Sequence, residues 1–378
     1  MITRTKSLAG VALLASAAFV LTACAATEEA AMDETNTAGA EANSSLSGTL
    51  VGAGASSQGS AQEAWVAGFQ TANPDVTVTY DPIGSGGGRE TFQSGASSFA
   101  GSDRAFKVDE ITEGPFGSCV EEAGIWEIPA YISPIAIIFN LEGISTLNLD
   151  ADTLAQIFTG EITNWNDAAI ASQNAGVDLP DLSITAVHRS DESGTTANFT
   201  DYMSKASTDF WLLAGENAGS FEAWPAEWGG EGAPQTSGVV DAVTNGTGTI
   251  GYADASRAGS LGTVSVKVGS EYVPYSAEAA AKIVDASPAA NPGERGDNDL
   301  AIELDRATEA SGTYPIVLVS YLIGCNDYAD DSVVDLVKGY VSYVVSEEGQ
   351  LAAQANAGNA PISADSRAKA EAILASIK

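Results

Sequence analysis

Apolar and polar positions along this chain fall into a recurring order of strand, small-residue turn and helix. Residues 48–51 read as a short strand running into Gly52-Ala53-Gly54-Ala55-Ser56-Ser57, after which Ala61, Trp65 and Phe69 recur at four-residue spacing until Asn73-Pro74 stops the helix. Residues 76–80 alternate β-branched side chains as a second strand, followed by Gly84-Ser85-Gly86-Gly87-Gly88 and a short helical segment at 89–93. Phe99-Ala100 then leads into Gly101-Ser102-Asp103, a third strand end closed by a small-residue turn. A second α/β unit begins with the continuous apolar run 135–139, a buried strand, and continues with a helix over 152–158 closed by Gly160. Further on, 314–323 is an apolar strand, and 333–345 and 363–377 read as helices. In an open α/β sheet the loops at the carboxyl ends of the strands form the ligand crevice, where helix N-termini present free N–H groups suited to anions.

The segment after the strand at 184–187 carries the most chemistry. It reads His188-Arg189-Ser190-Asp191-Glu192-Ser193-Gly194-Thr195-Thr196 and opens a helix through Phe199 and Tyr202. A guanidinium, hydroxyls and the N–H groups of a helix start within one turn of each other suit a tetrahedral oxyanion.

Length and charge narrow the class. At 378 residues the chain exceeds one hydrophobic core, so two domains of roughly 150 residues are expected. The 44% hydrophobic fraction fits a folded protein, and a net charge of −34 argues against nucleic acid and anionic lipid as partners. With one histidine and three cysteines, clustered His or Cys metal sites are not expected, nor is a cofactor. An acidic protein can still hold an anion, because donors in contact within a dry cleft outweigh surface charges screened over roughly 8 Å.

The N-terminus sets the compartment. Arg4 and Lys6 precede an apolar stretch at 8–21 that is too short to span a membrane comfortably and suits a signal peptide, 1–23. Leu21-Thr22-Ala23-Cys24 resembles the lipobox of bacterial lipoproteins, which implies cleavage before Cys24 and acylation of its sulfur. Residues 24–47 hold hardly a large apolar side chain and are expected to be an acidic, disordered tether. Cys119 and Cys325 are the remaining thiols, and in an oxidising compartment they are expected to form a disulfide.

The ordered set of segments Gly52-Ala-Gly-Ala-Ser-Ser57, Ile83-Gly-Ser-Gly-Gly-Gly88, Gly101-Ser-Asp103, Arg189-Ser-Asp-Glu-Ser-Gly-Thr195, Trp228-Gly-Gly-Glu-Gly232 and Gly248-Thr-Ile-Gly-Tyr252 resembles the phosphate-binding lipoproteins of the bacterial phosphate-specific ABC transporter, the PstS family. The resemblance implies a two-lobed α/β periplasmic-binding-protein fold of type II, with a ligand cleft between lobes joined by a two-strand hinge. Lobe I would comprise 48–134 plus 315–378 and lobe II 135–314. It further implies an extracytoplasmic, lipid-anchored monomer that captures inorganic phosphate and delivers it to the permease subunits of an ABC importer, touching the membrane only through its anchor. The ligand set carried over is Ser56, Ser57, Ser85, Asp103, Arg189, Ser193, Gly194 and Thr195, with Asp103 accepting the phosphate's own proton and Asp191 holding Arg189. Two departures stand out: Ser56-Ser57 replaces a Thr followed by Phe, and Gly86 stands where a second serine is usual.

Other readings carry less weight. Another tetrahedral oxyanion, sulfate or molybdate, would place a lone pair against Asp103 and leave two anionic acceptors unpaired. A secreted phosphatase or serine hydrolase lacks a Gly-x-Ser-x-Gly elbow on Ser56 or Ser193 and a metal-holding histidine set. His188 reads as structural or solvent-facing, and the tryptophans at 211, 224 and 228 as packing.

Overall fold

A computed structural model describes residues 46–378. The expected signal peptide 1–23, lipidation at Cys24 and all but the last two residues of the tether 24–47 lie outside the described residues.

The strand, turn and helix units form as the pattern predicts. β1 (Gly48–Gly54) passes through a 3-10 turn at Ser56–Gln58 into α1 (Gly59–Ala72), which buries Trp65 and Phe69. Truncating a fully buried tryptophan such as Trp65 costs about 3–5 kcal/mol. β2 (Val76–Asp81) and β3 (Phe99–Ser102) lie parallel on either side of β1. Between them α2 (Ser85–Gln93) starts at Ser85, inside the glycine run rather than after it. Close packing explains this use of a poor helix former: a Cβ at Gly88 would stand 2.9 Å from the Ala53 carbonyl oxygen on β1. α3 (Val108–Glu113) follows.

β4 (Ile125–Phe139) is the main departure, fifteen buried residues where the pattern predicts only the run 135–139. Pro129 and Pro134 disguise its first ten residues, since proline cannot donate to a ladder and reads as a strand breaker. Beyond it come β5 (Thr146–Leu149), α4 (Ala151–Phe158), α5 (Ala168–Gln173), β6 (Thr185–Arg189), α6 (Gly194–Ala206) and α7 (Thr208–Ala214). β7 (Glu231–Ala233), α8 (Gln235–Asn245), β8 (Thr249–Asp254), β9 (Gly262–Val268), β10 (Glu271–Val273) and α9 (Ala277–Ala286) complete that stretch. The chain ends with β11 (Val317–Cys325), α10 (Val334–Val345), α11 (Glu347–Ala357) and α12 (Ala364–Ser376). α11 is not foreseen in the sequence; Ser346 caps it by accepting from the Gly349 N–H at 3.0 Å.

The strands order as β2-β1-β3-β11-β4-β8-β6-β7, with β9 beside β4 and carrying β5 and β10. β4 changes partner partway along. Up to Pro134 it pairs antiparallel with β11, and from Ile135 it pairs with β8 and β9. The chain returns at the same level, where the Ile135 N–H donates to Ile316 O at 2.7 Å. Residues 295–302 run back along the first half of β4, where Leu300 N donates to Glu127 O and Arg295 bonds both Glu127 and Asp299. The Cys119–Cys325 disulfide forms as expected and ties the loop before β4 to the end of β11. Across a sequence separation of 206 residues the chain-entropy model gives it about 5 kcal/mol.

Candidate oxyanion-binding site

Asp103, one residue past the end of β3, stands where the expected loops meet. It is 2% exposed, and three hydroxyls donate to it: Ser57 at 2.6 Å and Ser320 at 2.7 Å to Oδ1, and Thr195 at 2.9 Å to Oδ2. Its own N–H donates to Ser85 Oγ at 3.1 Å, and its carbonyl accepts from Asn198 Nδ2 at 2.6 Å. Ser57 follows β1, Ser85 opens α2, and Thr195 opens α6, so this one residue touches all three turns, two through its carboxylate and that of Ser85 through its backbone N–H. Gly194 is required by the same crowding: a Cβ there would lie 2.5 Å from Ser85 Oγ and 2.8 Å from Asp103 Cβ.

Arg189, at the end of β6, is 3% exposed and forms a two-pronged pair with Asp191, one bond from Nε to Oδ1 at 2.8 Å and a second from a terminal nitrogen to Oδ2. Asp191 also accepts from the Gln235 N–H at 2.9 Å, so its carboxyl is fixed from two elements. Burial opposes its charge, but the bonds and charge of Arg189 hold it below the usual carboxylate range. Ser193 is the N-cap of α6, accepting from Thr196 N at 3.2 Å, which leaves its hydroxyl hydrogen to donate elsewhere. The first N–H groups of α6 have no carbonyl one turn back to bond, which favours negative charge at that end.

One expected ligand, Ser56, and one departure from the family pattern, Gly86, differ from the rest in setting. The Ser56 hydroxyl is turned to Thr236 Oγ1 at 3.1 Å and also accepts the Thr236 N–H, linking the first turn to the start of α8. Gly86 faces Glu192: a Cβ there would come within 2.5 Å of Glu192 Cβ, so a serine cannot be added at this position without displacing Glu192.

Burial pushes the Asp103 carboxyl above its ordinary range, and the hydroxyls of Ser320, Ser57 and Thr195 and the charge of Arg189 work against that push. Burial and the neighbouring Asp103 together raise Tyr80 well above a normal phenol; its hydroxyl donates to Ala55 O at 3.0 Å.

Sequence reasoning misses the second ring of groups. Ser320, on β11, carries no local motif. Arg89 bonds Ser102 Oγ at 2.8 Å and, with Arg104, clamps Glu222, whose carbonyl accepts the Ser193 N–H. Burial would raise Glu222, yet the two arginines hold it low. The Tyr252 hydroxyl accepts the Arg189 N–H at 3.3 Å and pairs with Thr196 Oγ1 at 2.7 Å. His188 is half-buried; its Nδ1 lies 2.9 Å from Arg189 O and its ring stacks on Trp224, 5.0 Å between centroids. Trp224 and Trp228 pack together, whereas Trp211, expected as packing, is 53% exposed on α7.

The strand order, with β4 shared between two half-sheets and the polar turns gathered at one level, defines a two-lobed binding protein. The family model for the PBP superfamily domain matches residues 39–348. Phosphate-binding protein PstS 3 of Mycobacterium tuberculosis is 34% identical over 346 residues, covering 89% of this chain and 90% of that protein. Phosphate-binding protein PstS 2 of the same organism is 32% identical over 349 residues, 90% of each chain. The chain belongs to the PstS family of phosphate-binding proteins within the PBP superfamily. In fold it is similar to a high affinity periplasmic phosphate-binding protein (PfluDING) solved with phosphate bound, at a TM-score of 0.67 and 22% identity over 86% of this chain and 93% of that one.

Proposed function

We propose that this protein captures inorganic phosphate at Asp103 and Arg189 and delivers it to the permease subunits of an ABC importer from the outer face of the cell membrane, held there as a monomer by acyl chains on Cys24. Asp103 is the observation that carries the reading: a buried carboxylate ringed by hydroxyls, set against a buried arginine and a helix N-terminus. At neutral pH phosphate retains a proton that Asp103 can accept, and sulfate has none, so sulfate places two acceptors face to face. Among the described residues the hydroxyls of Ser57 and Thr195 bond Asp103 alone, and they can turn onto the anion. Ser85, Ser193 and the N–H groups of Gly194 and Thr195 complete the donors, and Asp191 keeps the Arg189 fork in place. Ser56 joins them on releasing Thr236.

The division into lobe I, 48–134 plus 315–378, and lobe II, 135–314, follows the partner change in β4, with residues 295–302 reaching back from the second lobe onto the first. Ligand then closes the lobes about β4 and the start of β11. No catalytic step is assigned. His188 bonds its neighbour's carbonyl and stacks on Trp224, so it activates none of the serines named here. Calorimetric titration with phosphate, arsenate, phosphite, sulfate and molybdate tests the proposal: phosphate binding with sulfate rejected supports it, and sulfate or molybdate binding in preference would replace it.

A further inference from the structure

Ser320 sits at a β-bulge. The register of β11 on β4 passes from Ser320 opposite Tyr131 to Tyr321 opposite Pro129, skipping Ala130. Pro129 has no N–H to offer the ladder, and a bulge at such a point re-aims the side chains beside it. Gln58, fully buried at the start of α1, spans the irregularity: its Nε2 donates to Tyr321 O at 3.1 Å and to Ser320 Oγ at 2.6 Å.

Donor direction is fixed along this path. An amide nitrogen only donates, so Ser320 Oγ accepts from Gln58 and its own hydrogen goes to Asp103 Oδ1. Gln58 Oε1 in turn accepts from Gln62 Nε2 at 2.9 Å, and Gln62 Oε1 accepts from the Tyr340 hydroxyl at 2.6 Å. Four buried hydrogen bonds therefore run head to tail, Tyr340 to Gln62 to Gln58 to Ser320 to Asp103, every dipole aimed at the carboxylate. Such chains polarise one another and favour negative charge at the accepting end.

We propose that Ser320, aimed by Gln58 and Gln62, is a selectivity-positioning residue that keeps Asp103 an ionised, acceptor-only group, so that the cleft takes a protonated oxyanion and refuses a fully deprotonated one. The inference rests on the reading of Asp103 as the phosphate-proton acceptor. Among the described residues Ser57 and Thr195 differ from Ser320 in having no second partner, which leaves them to the ligand while Ser320 stays on Asp103. The charged and titratable groups around Asp103 are Arg189 with Asp191 after β6, Tyr80 on β2, Arg89 on α2 and Arg104 beside Asp103 in the chain, both paired with Glu222, and Arg306, which pairs with Asp201 and bonds Asn198 of α6. The charge of Arg189 favours ionised Asp103, while Arg89, Arg104 and Arg306 are each paired with a carboxylate. Burial works the other way, and the polarised chain offsets part of it.

The test is the pH dependence of the phosphate-to-sulfate affinity ratio, measured by calorimetry from pH 5 to 8 on the parent, Ser320→Ala, Ser320→Thr and Gln58→Met. The parent loses selectivity toward acid, as Asp103 protonates and becomes a donor that sulfate tolerates. Loss of one hydrogen bond to a charged oxygen moves that fall upward by about one pH unit in Ser320→Ala. Gln58→Met shifts it in the same direction by less, and Ser320→Thr, which keeps the hydroxyl, follows the parent. A Ser320→Ala curve superimposed on the parent's, or a uniform loss of affinity at every pH with the ratio unchanged, overturns the inference and leaves the phosphate reading standing. A parent that binds no phosphate at any pH overturns the phosphate reading itself, and the inference with it.

Discussion

Asp103 and Asp254 are both buried aspartates that receive hydroxyl hydrogen bonds, and they differ in the charges set beside them. Asp254 ends β8 beside the partner change in β4, accepting from the Tyr131 hydroxyl at 3.0 and 3.1 Å and from the Ser256 hydroxyl and N–H. No cation acts on it among the described residues, and burial pushes its carboxyl up to about 6. Asp103 has the same kind of shell but adds the charge of Arg189 and the directed chain through Gln58. The difference teaches that hydroxyls alone tether a buried carboxylate and fix its place in the fold; in the function proposed above, a neighbouring guanidinium and aligned amides are what let Asp103 read an anion's proton.

The largest effect that distinguishes the two comes from the cation. Arg189→Ala removes the charge facing Asp103 and leaves Asp191 unpaired, so phosphate binding falls by about 2–5 kcal/mol in calorimetry, while sulfate stays rejected. Parent-like phosphate affinity in that variant would dissolve the contrast.

The next effect belongs to Asp254. Folding favours its protonated form, so the stability it contributes is present below about pH 4 and is lost as pH rises through about 6. Urea unfolding should show the difference in stability between Asp254→Asn and the parent changing by about 2–3 kcal/mol across that window, with phosphate affinity unchanged. A pH-independent difference, or lost phosphate binding, would mean that Asp254 is not the purely structural partner in this pair.

Much of this was legible in the sequence where contacts are local. The glycine turns after β1, β2 and β3, and the run from Arg189 to Thr195, announce themselves because turn chemistry and helix capping act within a few residues. β4 was half hidden because Pro129 and Pro134 read as breakers, and the same Pro129 produces the bulge that aims Ser320. Ser320 meets Asp103 across 217 residues and Gln58 meets Ser320 across 262, Glu222 meets Arg89 across 133, and Tyr252 meets Arg189 and Thr196 across 63 and 56, and no spacing rule reports such contacts. Gly86 shows the reverse: its departure from the family pattern was visible, but its cause, the Glu192 side chain lying against it, was not.

The smallest expected effects fall on the hydroxyls themselves. Ser57→Ala or Thr195→Ala weakens phosphate by about 1 kcal/mol each, the worth of one hydrogen bond, and leaves sulfate rejected because Asp103 is still ionised. Sulfate binding in either single variant would shift the selectivity from the carboxylate to its hydroxyl shell.

Side-by-side titration of the parent and Asp103→Asn with phosphate and sulfate at pH 8 tests the central claim most directly. An amide in place of the carboxylate can donate as well as accept. Phosphate should weaken by about tenfold to a hundredfold, the loss of one charge-assisted bond, while sulfate, refused by the parent, binds the variant. Continued rejection of sulfate by Asp103→Asn would contradict the account.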